Sequence, residues 1–328
     1  MGFLLIALTL LMGGYVGWAI GANDAANCVG ADIGSGKMTV RQGIIITCIF
    51  SFLGALLLGA RVIKTIGKGI VPLDKLDPNI GILIALAACF GAGTWVIIAT
   101  IRGLPVSTSH SIVGAVAGAG LAMGAPVIWK KLLDIFICWV LTPVGAGIIA
   151  YLLFRPFRRI FYLLVPRKFN DAAIVFFIFA TSIYLAFTWG ANDVANATGI
   201  ITGAGLMSSK QAAVYGGIAI IIGIVTFGRK VIQTIGFSIT NLAPLMTIVA
   251  EIASGINVHL YTVLGIPVST SHSIVGAIVG VGLVKGIRTV NKKIVSEIIF
   301  AWSLTPVASG VLSFLAIKLI TLLIKPGG

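Results

Sequence analysis

Residues Pro105 to Ala115 read PVSTSHSIVGA, and the same eleven residues return unchanged at Pro267 to Ala277, an offset of 162. Other blocks repeat around them in the same order. GANDAANCVG at Gly21 to Gly30 recurs as GANDVANATG at Gly190 to Gly199, offset 169. Arg41-Gln42 pairs with Lys210-Gln211, RVIKTIG from Arg61 with RKVIQTIG from Arg229, and WVLTP from Trp139 with WSLTP from Trp302. Chance does not set an unchanged eleven-residue match among four collinear blocks, so the chain is an internal duplication. The halves run over 1–154 and 169–328, and 155–168 (RPFRRIFYLLVPRK) reads as a short basic linker.

Working outward, each half offers five apolar segments: 3–22, 42–60, 80–101, 104–124 and 132–154, then 171–189, 211–227, 241–263, 267–284 and 294–324. Of the residues, 58% are hydrophobic and only 10% charged, where a soluble domain carries about 25% charged residues. The bilayer demands such runs, because a spanning helix needs about 20 apolar residues. Five crossings per half turn the second half upside down relative to the first. The expected fold is an all-α polytopic membrane protein of two inverted-topology repeats, with broken or re-entrant helices meeting at the bilayer midplane.

Charge orients it. With a cytoplasmic linker, Lys37, Arg41, Arg102, the five linker basics, Arg229, Lys230, Lys285, Arg288, Lys292 and Lys293 fall inside, fourteen of 23 Lys and Arg. That satisfies the positive-inside rule with both termini outside, in a cell membrane. The net charge of +14 is thus an orientation signal, and no nucleic-acid partner is expected. The stretch from Met1 to Ile20 has no basic n-region and reads as a first span rather than a signal peptide. Cys28, Cys48, Cys89 and Cys138 lack the spacing of a zinc site or a disulfide framework.

In GANDAANCVGADIGSGK, Asn, Asp and Gly gather at the end of an apolar helix. Glycine weakens a helix by about 1 kcal/mol relative to alanine, so the stretch is expected to unwind. Freed carbonyls, with oxygens of Asn23, Asp24 and Asn27, make a hard-oxygen site for a small cation. Asn192, Asp193 and Asn196 repeat the set. A plainer reading is helix capping at the membrane surface, but two whole copies of the string weigh against it.

Pro105 suits a first helical turn, and Ser107, Thr108 and Ser109 supply hydroxyls beside unsatisfied N–H groups. Such a helix start suits an oxyanion; Ser269, Thr270 and Ser271 are the second copy. Ordinary N-capping is the competing account. Gln42 and Gln211 begin segments and can reach a central site. His110 and His272 fit three roles: donating to an anion, binding a proton, or holding the loop, and holding is favoured. Asp134 and Glu297, paired by the repeat, are either cation ligands or solvated. Glu251 has no acidic counterpart, because Cys89 occupies its place.

Donors call for an anion and carboxylates repel one. A cation between them converts a repulsion of roughly 4 kcal/mol, at about 4 Å and an effective dielectric near 20, into attraction. Each ligand then binds poorly without the other, which is the logic of symport.

With GANDAANCVG, GANDVANATG and the duplicated PVSTSHSIVGA, the chain resembles the inorganic phosphate transporter (PiT) family over nearly its whole length. The resemblance implies phosphate uptake coupled to sodium or protons, with no other cofactor, and a homodimer. It implies that Asp24, Asn27, Asp193 and Asn196 belong to the substrate and ion site, and that Ser107, Thr108, Ser109, Ser269, Thr270 and Ser271 surround phosphate. Ala25 stands where the family usually has valine, and the linker is far shorter than the central domain of animal members. A sulfate permease of the same fold is the nearest alternative. An anion channel fits the carboxylates badly. An intramembrane hydrolase fails because neighbouring Ser and His on one helix do not face each other, so no enzyme activity is expected.

Overall fold

In the computed structural model, the described residues are 2–102, 106–229, 231–232, 243–286 and 292–324. Pro105, Lys230, Arg288 and most of the second RKVIQTIG block lie outside them. The first half forms α1 (Gly2–Gly34), α2 (Val40–Leu58), α3 (Ala60–Gly69), α4 (Pro78–Ile101), α5 (Thr108–Ala122) and α6 (Trp129–Leu164). The second forms α7 (Asn170–Gly203), α8 (Ser209–Gly223, extended by a π-turn to Gly228), α9 (Pro244–Val263), α10 (Thr270–Lys285) and α11 (Lys292–Ile324). No strand occurs among the described residues.

Among the described residues, seven helices are long and apolar enough to cross a membrane. The fourth apolar segment of each half is not. α5 has 15 residues and α10 has 16, about 22–24 Å at 1.5 Å per residue, short of a roughly 30 Å hydrocarbon core. Their starts, around Ser107 and Ser269, are buried rather than superficial. Non-helical backbone at such a place survives only against protein or a watery cavity.

One expectation is corrected. α1 and α7 run unbroken through Gly21–Gly30 and Gly190–Gly199, so their carbonyls are spent within the helix. The glycines serve close packing instead. A Cβ on Gly21 would strike the Ile220 carbonyl of α8, and one on Gly190 the Ser51 carbonyl of α2. Gly223 and Gly54 return the contact, against Trp18 of α1 and Phe187 of α7. The breaks lie in front of the two Ser/Thr helix starts. The basic stretch 155–168 is largely helical: α6 continues to Leu164, and a short 3-10 turn, Arg167–Phe169, leads into α7.

The halves are repeats in sequence but interlock in space. α2 packs on α7 and α8 on α1; α5 packs on α11 and α10 on α6. Gly114 faces the Pro306 backbone and Gly276 the Pro143 backbone, while Gly118 meets Gly310 and Gly280 meets Gly147. Reciprocal contacts of this kind are what a two-fold relation produces. Leu57, Leu152, Leu163 and Leu322 point outward and exposed, as expected of faces bathed in lipid tails.

Candidate functional site

The interlock brings four chain segments together: the middles of α1 and α7 and the starts of α5 and α10. Asp24 Oδ2 accepts the Thr108 hydroxyl at 2.9 Å, and Asp24 Oδ1 accepts from Asn27 Nδ2 at 3.3 Å. The copy is close to identical. Asp193 Oδ2 accepts the Thr270 hydroxyl at 2.8 Å, and Oδ1 accepts from Asn196 Nδ2 at 2.8 Å. Spacing of three along a helix puts each Asp and Asn on one face.

The two copies are then stitched across. Asn27 Nδ2 donates to Ser271 Oγ at 2.8 Å, and Asn196 Nδ2 to Ser109 Oγ at 3.3 Å. Each asparagine therefore bridges its own carboxylate to the helix start of the opposite half. The Ser109 hydroxyl goes on to the Val268 carbonyl at 2.7 Å. Asp24 is 2% exposed and Asp193 1%, and no Lys or Arg of the described residues pairs with either. The ion pairs of the described residues, Lys37–Asp171 and Lys68–Asp74, lie at the surface. Two buried carboxylates without a basic partner need a positive charge from elsewhere. The Asn196 amide oxygen is likewise buried and without a hydrogen-bond partner among the described residues.

Ser107 and Ser269 are N-caps, accepting from His110 N and His272 N at 3.2 Å. The first N–H groups of α5 and α10 have no intrahelical partner, and they belong to the same residues, Thr108, Ser109, Thr270 and Ser271, whose hydroxyls enter the cluster. The arrangement thus combines carboxylates with two positive helix ends, suited to a cation and an anion together.

Asn23 and Asn192 do a different job. Asn192 donates to Thr262 Oγ1 and the Ile266 carbonyl and accepts from Val268 N, holding the loop before α10. Asn23 makes the matching bond to Thr100. Gln42 and Gln211 are not at the site: both are exposed, closing capping boxes with Thr39 and Ser208 at the starts of α2 and α8. Gln42→Ala should therefore cost about 1 kcal/mol of stability, read by thermal unfolding, and leave transport at the parent level. Asp134 and Glu297 are exposed as well.

The histidines hold backbone. A proline cannot donate to the carbonyl four residues before it, so Pro143 frees Trp139 O and Pro306 frees Trp302 O. His272 Nδ1 lies 3.4 Å from the first and His110 Nδ1 3.2 Å from the second. A carbonyl only accepts, so each Nδ1 carries the proton. The imidazoles stack on Trp139 and Trp302 and meet edge-on at 4.4 Å. Thr100, Thr262 and this His–carbonyl exchange were missed in the sequence. The proline rule was the available signal for the last.

Comparison with known proteins is decisive on kinship. The model of the phosphate transporter family matches residues 20–180 and 165–313. The chain belongs to the phosphate transporter family. A Pyrococcus furiosus protein named as a candidate phosphate permease is 34% identical, covering 98% of this chain and 99% of its own. A chloroplast inorganic phosphate transporter of Arabidopsis thaliana is 29% identical over 92% of this chain and 70% of its own. A solved structure titled as the sodium-dependent phosphate transporter superposes with a TM-score of 0.87 at 29% identity, covering 98% of this chain and all of that one. The family is one of membrane transporters, not of enzymes, and these relatives speak for phosphate rather than sulfate.

Proposed function

We propose that this phosphate transporter family member imports inorganic phosphate by symport with sodium, by alternating access at the Asp24–Asp193 cluster. The observation that carries the reading is the pairing of two buried, basic-free carboxylates with two helix N-termini through the Thr108 and Thr270 hydroxyls. Sodium ions at Asp24, Asn27, Asp193 and Asn196 supply the missing charge. Phosphate then sits against the N–H groups and hydroxyls of Thr108, Ser109, Thr270 and Ser271, with Ser107 and Ser269 shaping the two helix starts. Sodium is preferred to protons as the coupling ion on two grounds: the unpartnered amide oxygen of Asn196 is a cation ligand, and the superposed structure is titled sodium-dependent. Asn27 is partly exposed whereas Asn196 is fully buried, which favours access from one side in this conformation.

In this account the repeats are inverted in the membrane, both termini face outside, the α6–α7 connection is cytoplasmic, and two copies form a dimer. The test is phosphate uptake into proteoliposomes. An inward sodium gradient should drive accumulation and an equal potassium gradient should not, and excess sulfate should leave the rate unchanged. Uptake indifferent to sodium, or inhibited by sulfate as strongly as by phosphate, contradicts the proposal.

A further inference from the structure

Four polar positions break the internal symmetry, and they meet one another. Asp32 on α1 corresponds to Ile201 on α7, and Glu251 on α9 to Cys89 on α4. Thr181 and Ser182 on α7 correspond to Met12 and Gly13 on α1. In one arm of the repeat the Ser182 hydroxyl lies 2.5 Å from Asp32 Oδ2, and the Thr181 hydroxyl 2.5 Å from Glu251 Oε2. The two carboxyls, held by the hydroxyls of adjacent residues on α7, are neighbours. In the other arm, Gly13 makes room for the Ile201 side chain. One arm is a buried acidic pair; its counterpart is an apolar contact.

Asp32 is 0% and Glu251 2% exposed. Cys28, one turn before Asp32 on α1, is a buried free thiol. From α7 and α9, Tyr184 and His259 are bonded to each other. The Lys37–Asp171 pair is exposed, and neither Lys nor Arg of the described residues bonds to either carboxyl. The hydroxyls cannot neutralise the pair. Each carries one hydrogen and also lies against the Ile178 carbonyl, at 3.1 Å for Thr181 and 2.8 Å for Ser182. Among the described residues Asp32 Oδ1 has no donor, and neither does Thr247 Oγ1, one turn before Glu251 on the same face. Thr247 also departs from symmetry, with Ala85 as its counterpart.

Two ionised carboxylates in contact at full burial repel strongly, and such pairs hold one proton between them. We propose that Asp32 and Glu251 share one proton and form a one-sided proton site, separate from the Asp24–Asp193 cluster, whose occupancy sets part of the pH dependence of transport. Because the site occurs in one arm only, it acts on one of the two otherwise equivalent gates.

Infrared spectra of the purified full chain, in saturating sodium and phosphate, test this directly. At neutral pH the parent should show a protonated-carboxyl stretching band that is lost in Asp32→Asn and in Glu251→Gln, and kept in Asp134→Asn. In proteoliposomes the pH profile of sodium-driven uptake should reduce, in both variants, to the part set by the protonation of phosphate itself. The uptake arm rests on the phosphate reading above and the infrared arm does not, so a lost band with no uptake in the parent faults that reading alone. Two variants with near-isosteric amides guard against one failing to fold. An unchanged band in both overturns the proposal, as does the loss of one bound sodium per chain in a radioactive sodium-binding assay.

Discussion

Asp24→Asn and Asp193→Asn should each slow sodium-driven phosphate uptake by at least about a hundredfold, near 2.7 kcal/mol in the barrier. Asparagine is nearly isosteric, so the Thr108 or Thr270 hydroxyl keeps an acceptor and the helix packing is preserved. The lost item is charge. A cation between carboxylate and oxyanion gains roughly 4 kcal/mol from each at about 4 Å and an effective dielectric near 20, and the amide forfeits most of one such contribution. Initial rates in proteoliposomes, normalised to reconstituted folded protein, measure it. Near-parent rates in both variants would put the cation path elsewhere.

The second large effect concerns packing. Gly114→Leu and Gly276→Leu should each abolish recovery of folded protein, read as loss of the monodisperse peak in detergent. A Cβ at Gly114 already overlaps the Pro306 backbone, and one at Gly276 overlaps that of Pro143. Backbone cannot swing aside as a side chain can, so the cost exceeds the usual 1–3 kcal/mol of overpacking. The same displacement would pull His110 from the Trp302 carbonyl and His272 from the Trp139 carbonyl, leaving two buried acceptors bare at about 1–3 kcal/mol each. Alanine at either glycine should be the milder variant, with a lowered unfolding temperature.

How much of this was readable beforehand depends on what each feature rests on. The duplication is a statement about residue order, so it and the membrane class were legible without coordinates. The Asp24–Asn27 and Asp193–Asn196 pairs were legible too, because helical spacing alone sets them side by side. That Asn27 reaches Ser271, and Asn196 reaches Ser109, depends on how the halves interlock, which no local pattern encodes. The glycines of the GAND strings misled for a physical reason. Glycine weakens a helix and also admits a neighbouring backbone, and only the partner at Ile220 or Ser51 decides which use prevails. Gln42 and Gln211 were expected to reach a central site, whereas the structure has them closing capping boxes three places after Thr39 and Ser208, a local pattern that competes with any distant role. Asp32 was visible as an aspartate without a repeat partner. Its meeting with Glu251, 219 positions away in the sequence, was not.

The central claim is that sodium at the paired carboxylates creates the phosphate site. Phosphate titrated into the purified chain by calorimetry, at rising sodium with ionic strength held constant by choline, tests it most directly. The account predicts that phosphate affinity climbs at least about tenfold with sodium, and that sodium affinity rises by the same factor with phosphate, since coupling is reciprocal. Phosphate binding of equal strength with and without sodium would contradict it.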